Sequence, residues 1–480
     1  MMLLDWAGRG AFFLASWALL FSGALNRGQP LGATESSHLF PDGATWQTLG
    51  IQRDFVSKLR AKNITSPTSV QIAAIPRVLQ RKDAAIQCYT GSGKTLAYLL
   101  PLLTLYYGRG KKTSQNDISQ AKSKRQRKDV RSPGAAAGAC AIVIAPTREL
   151  AMQIAKEAEY LGGPGCVQQI IGGANFKRQS EALRRKSLVL LVGTPGRLFD
   201  HIEKGGLHLS KVDTVVLDEA DELLSESPRN NYLQHLKDIM VTVRAARVPK
   251  HVNLLLVSAS ISPSIIHRAH VDMGLPQMRK VASQKPKEQK GIASGDKEGG
   301  SDAEPLSLPP GVRHFVVFSH DRHRSDMTRR VLHAVNASRA LVFVNYDKQV
   351  KEVVFKIQRE GLSMSWLEGS MRKAHRREQL DKFRQGVVRA LVVTDIMARG
   401  LDILSCDVVV NLHAPRDVLN YVHRAGRTGR LGRAGTVVTI LSQRDRVVLK
   451  KLRRSLSHIE IVEVHVKNGT LHHVQAASSS

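Results

Sequence analysis

The sequence is poor in cysteine and in aromatic residues, and each shortage narrows the classes of protein that it can encode. Its four cysteines lie far apart and form no Cys-x-x-Cys pair, which argues against a disulfide framework or a zinc site and favours a reducing compartment. Phe, Trp and Tyr make up 5% of the chain, too little for an array of base-stacking platforms. A nucleic acid would therefore be recognised mainly through its backbone.

Acidic residues are also scarce relative to basic ones. The chain has 71 Lys and Arg residues against 41 Asp and Glu, a net charge of +30 over 480 residues. This excess favours a polyanionic partner, above all nucleic acid, and a solvated basic surface is the alternative. The length is sufficient for two or three domains with substantial cores.

Long apolar runs are missing except near the start, where residues 11–25 read AFFLASWALLFSGAL. This run is shorter than the roughly 20 residues that a membrane-spanning helix needs. We therefore expect no stable membrane association. The segment 1–45 is instead interpreted as a targeting signal for an organelle such as a plastid or mitochondrion, with an incorrect gene start as the alternative.

Short apolar runs recur along both halves, separated by longer helix-like stretches. The runs are AAI (84–86), CAIVIA (140–145), LVLLV (188–192), TVVL (214–217), LLLV (254–257), ALVFV (340–344), ALVVT (390–394), DVVVNL (407–412) and TVVTIL (436–441). Strands that are apolar at every position suit parallel sheets buried on both faces. The alternation predicts an α/β fold with two tandem, doubly wound parallel-sheet domains.

Two polar segments interrupt this pattern and set the expected domain limits. Residues 109–131 contain nine Lys or Arg and two Asp residues and are interpreted as a basic surface insertion. The insertion also resembles a nuclear localisation signal, and a nuclear or nucleolar location therefore competes with the organelle. Residues 283–311 are rich in Gly, Ser, Pro and Lys, as flexible linkers are. The predicted domains are 46–282 and 312–465, followed by a tail at 466–480.

The segment IQCYTGSGKT (86–95) follows the first apolar run directly and is typical of a phosphate-binding loop. Its glycines allow backbone N–H groups to point at phosphate oxygens at a helix N-terminus. The predicted loop residues are Thr90, Gly91, Ser92, Gly93, Lys94 and Thr95. Lys94 is expected to reach the β- and γ-phosphates, and the Thr95 hydroxyl to bind Mg²⁺. Cys88 stands where the strict pattern has glycine, and a glycine turn without a ligand is the alternative.

The segment TVVLDEADELL (214–224) places carboxylates directly after another apolar run. Adjacent carboxylates at the end of a strand repel each other unless a cation lies between them. Asp218 is therefore expected to hold Mg²⁺, and Glu219 to orient and deprotonate the attacking water. An acidic helix N-terminus without a ligand is the alternative.

Seven motifs occur in the order found in DEAD-box RNA helicases, and the chain resembles that family from about Trp46 to about residue 445. The motifs are GSGKT (91–95), PTREL (146–150), TPGR (194–197), DEAD (218–221), SAS (258–260), ARGLD (398–402) and HRAGRTGR (423–430). The resemblance implies two RecA-like domains that bind ATP and Mg²⁺ and use hydrolysis to unwind or remodel RNA. We expect a monomer, with protein partners that guide it to its target. An ATP-gated RNA clamp with slow hydrolysis is the alternative.

The resemblance also implies roles for residues around the nucleotide. Gln71, in ITSPTSVQ (64–71), would read the adenine edge, and Asp402 would contact the ribose. Ile64 stands where the family usually has an aromatic side chain that stacks on adenine, and His413 stands where it usually has an acidic residue. These two departures mark places where this chain can differ from its relatives.

The arginine-rich motif of the second half would reach the same nucleotide. Arg427 and Arg430 would meet the γ-phosphate when the domains close, and His423 would link to the acidic motif. The residues expected to couple hydrolysis to RNA are Asp221, Ser258 and Ser260.

The predicted RNA contacts come from both halves. They are Pro146, Thr147, Arg148, Gly172, Gly173, Thr194, Gly196, Arg197 and Thr394. Most are hydroxyl groups, glycine backbones and arginines, which suit phosphates and 2′-hydroxyls rather than bases. We therefore expect RNA binding with little sequence preference.

Overall fold

The computed structural model describes residues 43–106, 139–183, 188–207, 209–225, 231–246, 251–274, 278–282, 306–398 and 406–474. Nearly all of the expected targeting segment lies outside these ranges, as do the whole basic insertion, most of the expected linker and Asp402. The description below therefore concerns the two halves that contain the sheets.

The described part of the first half forms a seven-stranded parallel sheet. Its strands are β1 Ala84–Gln87, β2 Ala141–Ile144, β3 Val167–Ile170, β4 Leu190–Gly193, β5 Thr214–Asp218, β6 Asn253–Ser258 and β7 Arg279–Ala282. They are arranged in the order β3-β4-β2-β5-β6-β1-β7. Strands β1, β2, β4, β5 and β6 are buried at every position, because apolar clusters cover both faces of the sheet.

Helices connect these strands and shield the two faces. They are α1 Arg53–Ala61, α2 Ser69–Leu79, α3 (described over 94–106), α4 Arg148–Gly162, α5 Phe176–Leu183, α6 Pro195–Glu203, α7 Ala220–Leu223, α8 Tyr232–Ala245 and α9 Pro263–Met273. Helix α4 shows why they form where they do. The Thr147 side chain accepts a hydrogen bond from the Leu150 N–H and caps the helix, and buried apolar residues recur at helical spacing behind it.

The described part of the second half forms an eight-stranded sheet. Its strands are β8 Val312–Phe318, β9 Ala340–Phe343, β10 Met364–Trp366, β11 Ala390–Val393, β12 Val408–Asn411, β13 Gly435–Leu441, β14 Ile461–Lys467 and β15 Thr470–His473. The order is β10-β11-β9-β12-β13-β8-β14-β15, and β15 alone of these strands is antiparallel to its neighbour. The helices are α10 Arg324–Ala334, α11 Asp347–Gln358, α12 Lys373–Arg384, α13 Asp395–Ala398, α14 Val418–Ala425 and α15 Arg446–Ser455.

The two sheets confirm the predicted fold class, and all nine apolar runs form strands. Six further strands in the described ranges, β3, β7, β8, β10, β14 and β15, were not predicted from the sequence. The hairpin of β14 and β15 continues past the limit predicted at residue 465, so the second sheet reaches His473. No helix within the described ranges has the length and apolar character needed to cross a bilayer.

Both sheets arrange their first seven strands in the same way. Numbered by their order along each half, the strands follow the pattern 3-4-2-5-6-1-7 in both. Parallel strands end at a common edge, and ligands of doubly wound sheets bind at that edge. Each half therefore presents an equivalent edge of loops where a site can form.

Candidate nucleotide site and RNA-facing edge

A cavity of about 410 Å³ lies between the carboxyl-terminal edge of the first sheet and the end of α14 in the second half. The predicted site residues that line it are Gln71, Thr90, Gly91, Gly93, Lys94, Thr95, Asp218, Glu219, Asp221, Ser258, His423, Arg427 and Arg430. The structure thus brings together residues that are separated by more than three hundred positions in the sequence. Ile64 also lines this cavity.

Two glycines let the loop after β1 approach its neighbours closely. Gly91 has φ +86° and Gly93 has φ +90°, a left-handed conformation that side chains with a Cβ rarely adopt. A Cβ on Gly93 would collide with the Gln71 amide, and one on Gly91 would collide with the Arg430 side chain. Arg430 therefore lies directly on the phosphate-binding loop of the other half.

The loop has polar groups of the kind that bind phosphate oxygens. The Lys94 ammonium donates hydrogen bonds to the carbonyls of Cys88, at 2.5 Å, and Tyr89, at 2.9 Å, and burial lowers its pKa. Among the described residues, the hydroxyls of Thr90 and Ser92 are buried without a hydrogen-bond partner. Buried polar groups normally have partners, so these hydroxyls and the first turn of α3 fit the phosphates of a nucleotide.

The acidic side of the cavity has the donors that Mg²⁺ prefers. Asp218 Oδ2 accepts a hydrogen bond from the Tyr98 hydroxyl at 2.8 Å, and Oδ1 accepts one from the Glu219 N–H at 3.0 Å. Burial raises the pKa of Asp218 to about 6, which a nearby cation would reverse. With the Thr95 hydroxyl on the same cavity, the set offers hard oxygen ligands suited to Mg²⁺.

Glu219 has an unusual backbone. Its φ of 53° and ψ of 52° lie in the left-handed region, which costs about 1–3 kcal/mol for a residue other than glycine and is typical of functional sites. This conformation turns the chain sharply between β5 and α7 and leaves the Glu219 side chain lining the cavity.

Asp221 joins the two halves at the floor of the site. Its Oδ2 lies 3.1 Å from His423 Nε2 and accepts a hydrogen bond from the Ser260 hydroxyl at 3.0 Å. Burial raises the pKa of Asp221, but His423, Ser258 and Ser260 outweigh that effect and bring it to about 2. The predicted coupling residues therefore form one connected cluster around the ionised Asp221 carboxylate.

Gln71 is more deeply engaged than its predicted role requires. Its carbonyl accepts from the Thr68 N–H at 2.7 Å, and its amide donates to the Gly93 carbonyl at 3.0 Å. An amide side chain offers two lone pairs and two hydrogens, so one acceptor position and one donor position are left for another group. Gln71 therefore ties α2 to the phosphate-binding loop and keeps capacity to read a base.

Ile64 lies beside an apolar cluster built around Trp46. Trp46 is 1% exposed and packs with Phe55 and Leu59, and Ile64 is partly buried against the same cluster. Trp46 therefore supports the wall of the cavity from behind, and Ile64 presents an aliphatic surface to the cavity.

Most predicted RNA contacts lie along one edge of the first sheet. They follow β2, β3 and β4, which are neighbours in the order β3-β4-β2. Thr194 directly precedes α6. The Arg148 guanidinium packs so closely against Gly172 and Gly173 that a Cβ on either glycine would crowd the guanidinium. Gly196 lies in the first turn of α6, and Pro146 accepts a hydrogen bond through its carbonyl from the Tyr232 hydroxyl. Hydroxyls, glycines and arginines thus line a continuous edge.

Several partners of these residues were not predicted from the sequence. Arg197 donates to Gln179 Oε1 at 3.0 Å, and the Thr394 hydroxyl donates to Asp347 Oδ1 at 3.1 Å. Tyr98, which holds Asp218, follows Lys94 by four residues on α3, a helical spacing that could have suggested it.

A second contact joins the halves beside the predicted RNA contacts. Arg376, on α12, donates to Glu149 of the PTREL motif at 2.8 Å. Gly426 packs so closely on Thr90 that a Cβ at residue 426 would collide with the threonine hydroxyl. The two halves are therefore in direct contact around both the cavity and the RNA-facing edge.

The second sheet has its own cavity, also of about 410 Å³, at the equivalent edge. Arg324 begins the helix after the first strand there, as Lys94 does in the first half, but it donates to Asp321 at 2.7 Å and to Asp445 at 2.6 Å. Arg324 is thus already paired with two carboxylates, which a phosphate would have to displace. Burial lowers the pKa of His413 to about 4, so a neutral imidazole stands where the resemblance predicts an acid.

Comparison with known proteins agrees with this arrangement. Residues 68–268 match the family described as DEAD/DEAH box helicase, and residues 323–432 match the helicase conserved C-terminal domain. The DEAD-box ATP-dependent RNA helicase 47A of Oryza sativa subsp. japonica is 38% identical over 438 residues, which cover 86% of this chain and 73% of that one. The DEAD-box ATP-dependent RNA helicase 47, mitochondrial, of Arabidopsis thaliana is 37% identical over 429 residues, which cover 86% and 76%.

Solved structures share the fold. S. cerevisiae Dbp5 bound to RNA and ADP BeF3 superposes with a TM-score of 0.68 at 23% identity, over 88% of this chain and 95% of that one. Mss116p bound to ssRNA and AMP-PNP gives a TM-score of 0.69 at 21% identity, over 88% and 79%.

Two RecA-like domains that share one nucleotide cavity define the core of a nucleic-acid-dependent ATPase. With both family matches and these relatives, the chain belongs to the DEAD-box family of ATP-dependent RNA helicases. It is accordingly an enzyme that binds nucleotide and RNA and couples ATP hydrolysis to helicase activity.

Proposed function

We propose that closure of the two halves on RNA and ATP assembles the hydrolytic site, and that hydrolysis reopens it. One observation carries this proposal: Arg427 and Arg430 line the same cavity as the phosphate-binding loop and the acidic motif of the other half. A site divided between two domains is complete only while they are together. RNA and ATP each favour the closed form, which is how one ligand controls the use of the other.

The proposed roles follow from position around the cavity. Lys94 holds the β- and γ-phosphates, exchanging its two backbone carbonyls for phosphate oxygens. Glu219 orients the attacking water and takes its proton. Thr95 and Asp218 hold Mg²⁺, which when bound neutralises charge on the phosphates. Arg427 and Arg430 stabilise the charge that develops on the γ-phosphoryl oxygens.

RNA binding is proposed along the edge formed by the loops after β2, β3 and β4 and by Thr394 after β11. Because these groups suit phosphates and 2′-hydroxyls, the edge holds one strand with little sequence preference. Holding a strand there in a fixed shape would separate it from a short complementary strand, so we propose local unwinding rather than travel along the RNA.

The decisive variant is Arg427→Ala. An arginine finger is worth about 10³ to 10⁵ in rate, so ATP hydrolysis should be lost while the first half still binds RNA. Arg427→Lys should fail almost as badly, because an ammonium lacks the planar fork that spans two oxygens. The measurement is ATP turnover alone, with a long unstructured RNA and with DNA of equal length, beside RNA affinity measured with a nonhydrolysable ATP analogue.

Two outcomes would contradict the proposal. Equal turnover in the three conditions would separate hydrolysis from RNA-driven closure. Unchanged basal hydrolysis in Arg427→Ala, with RNA affinity lost, would make Arg427 an RNA ligand instead. Slow turnover with long-lived RNA complexes in the unmodified protein would favour the ATP-gated clamp.

We also propose that the protein acts in an organelle as a monomer, without stable membrane association, and with protein partners that choose its RNA. The relative from Arabidopsis that is named mitochondrial and the signal-like segment 1–45 support the location. The proposed domains are 46–282 and 312–474, joined by the linker. Imaging the full chain with a C-terminal tag tests the location, and a nucleolar signal would overturn it. Light scattering in solution tests the monomer.

A further inference from the structure

The helix α15 has a strongly basic surface that the helicase motifs do not use. Its ten residues include no Asp or Glu, and its basic residues are Arg446, Lys450, Lys451, Arg453 and Arg454. We propose that this helix binds the RNA backbone at a second site, outside the cleft between the two halves. The proposal goes beyond the closure mechanism and does not depend on it.

Three of these cations form one exposed face. At 3.6 residues per turn, Lys450, Lys451 and Arg454 fall within an arc of about 100°, and all three are exposed. The buried residues Leu449 and Leu452 lie on the other side of the helix. We call Lys450, Lys451 and Arg454 the α15 basic face.

The other two cations of α15 have structural partners. Arg446 lies over the Phe318 ring with its guanidinium carbon 4.5 Å from the centroid, and Arg453 donates to the Ile461 carbonyl at 2.9 Å. They are therefore left out of the proposed RNA contacts and out of the test.

The cations of the α15 basic face differ from two cations on other helices of the second half. On α11, Lys356 pairs with Glu352 at 2.6 Å, and on α12, Lys382 pairs with Glu378 at 2.7 Å. Across the described ranges, no salt bridge reaches any of the three residues of the α15 basic face.

Like charges three or four residues apart destabilise a helix. The α15 basic face therefore carries repulsion that an anionic partner would relieve, whereas Lys356 on α11 and Lys382 on α12 have acidic partners on their own helices.

The α15 basic face is well separated from the predicted RNA contact of the second half. Helix α15 joins β13 to β14, which flank β8, whereas Thr394 follows β11. Four strand spacings of about 4.8 Å separate β11 from β8, or about 19 Å. An RNA strand held in the cleft would reach α15 only if it extended beyond the part that the cleft covers.

RNA is the occupant that the charges favour. The chain is an RNA helicase with a net charge of +30, and three exposed ammonium and guanidinium groups without fixed partners suit a flexible phosphate backbone. A site of this kind would hold the flanking part of a long substrate near the cleft. An acidic protein is the competing occupant, and the experiment distinguishes the two.

The test is the triple variant Lys450→Gln, Lys451→Gln and Arg454→Gln in the full chain, since glutamine keeps helix propensity and removes charge. The matched control is Lys356→Gln, Arg377→Gln and Lys382→Gln, which removes three cations that have acidic partners on their own helices. RNA affinity is measured over a range of salt with a nonhydrolysable ATP analogue. The probes are single-stranded RNAs of about 10 and about 40 nucleotides, below and above the span of one site.

Each phosphate contact contributes about 0.7 to the logarithmic salt slope, or about fourfold in affinity at roughly 0.15 M salt relative to 1 M. The triple variant should therefore bind the long RNA about 10- to 50-fold more weakly, with a slope lower by about 2, and bind the short RNA as before. The control should bind both RNAs like the unmodified protein.

Three results would overturn the proposal. An equal loss of affinity for both RNAs would mean either that these residues contact RNA at the cleft or that the variant is misfolded. Circular dichroism distinguishes a misfolded variant from a folded one. An equal loss in the control would mean a general effect of net charge. Unchanged binding of the long RNA would assign the α15 basic face to an acidic protein or to solvent.

Discussion

Replacing His423 by alanine should weaken the closed arrangement while leaving the phosphate-binding loop intact. His423 Nε2 lies 3.1 Å from Asp221 Oδ2, and the Asp221 side chain is 1% exposed. Burial raises the pKa of Asp221, but His423 and two serines outweigh burial and bring it from 3.8 down to about 2. This difference corresponds to about 2 kcal/mol in favour of the ionised carboxylate.

Part of that free energy comes from Ser258 and Ser260, which belong to the same half as Asp221. We therefore expect His423→Ala to cost about 1–2 kcal/mol of closure, a 5- to 30-fold loss of RNA affinity in the presence of a nonhydrolysable ATP analogue. Because the pKa of Asp221 is lowered, its contribution is fully present above about pH 4 and is lost as the pH falls toward 2. Assays near neutral pH therefore keep the Asp221 carboxylate ionised.

A double-mutant cycle with Asp221→Asn tests the reasoning, with His333→Ala as the control because His333 is exposed on α10. The single variants should each lose affinity, and the double variant should lose little more than either. A coupling energy below about 0.5 kcal/mol would refute the link, since contacting residues normally couple by more. A comparable loss in His333→Ala would point to a general effect on the second half.

Three further changes test other parts of the site. The pKa of Asp218 is raised to about 6, so protons compete with Mg²⁺ for this carboxylate below that pH. For the same reason the protein without nucleotide loses stability as the pH rises from about 4 to 6. The increase in melting temperature caused by ATP and Mg²⁺ should therefore be larger at about pH 7.5 than at about pH 5.5. Asp218→Asn should remove this difference, and equal shifts in the unmodified protein would contradict it. Ile64→Phe should tighten ATP binding about three- to tenfold, since stacking on a base is worth about 1 kcal/mol or more. Titration with a fluorescent ATP analogue measures this affinity, with Ile64→Val as the control. An unchanged affinity in Ile64→Phe would show that adenine does not meet residue 64. Arg376→Ala removes a 2.8 Å ion pair with Glu149, in which the two side chains are 21% and 26% exposed. Because a partly exposed ion pair contributes little, RNA affinity in the presence of an ATP analogue should fall only about fivefold. A loss above about 100-fold would indicate that Arg376 contacts RNA directly.

The central strands could be predicted from the sequence because they are apolar at every position. Runs such as 141–144 and 390–393 are buried on both faces, and no amphipathic helix has that pattern. The missed strands carry polar residues or lie toward the sheet edges. Strand β3 reads VQQI, and β15, at the outer edge, reads TLHH. A short polar segment of this kind becomes a strand only because its neighbour supplies backbone partners.

The site was predictable to the same extent and for a related reason. Its motifs follow buried strands, and parallel strands deliver their loops to one edge, so the meeting of Lys94 and Asp218 followed from the fold class. The partners of these residues depend on packing between distant segments. The pairing of Arg376 with Glu149 joins parts of the chain that no local pattern relates. The saturation of Arg324 by two carboxylates was equally invisible in the sequence.

The shared strand order of the two sheets has a consequence for how many ATP molecules the protein uses. The two halves share one arrangement of strands, and the phosphate-binding loop lies in the first half. In the second half, the Arg324 guanidinium donates instead to the carboxylates of Asp321 and Asp445. These ion pairs join the start of α10 to the segment after β13 without a nucleotide. Each catalytic cycle should therefore hydrolyse one ATP per chain.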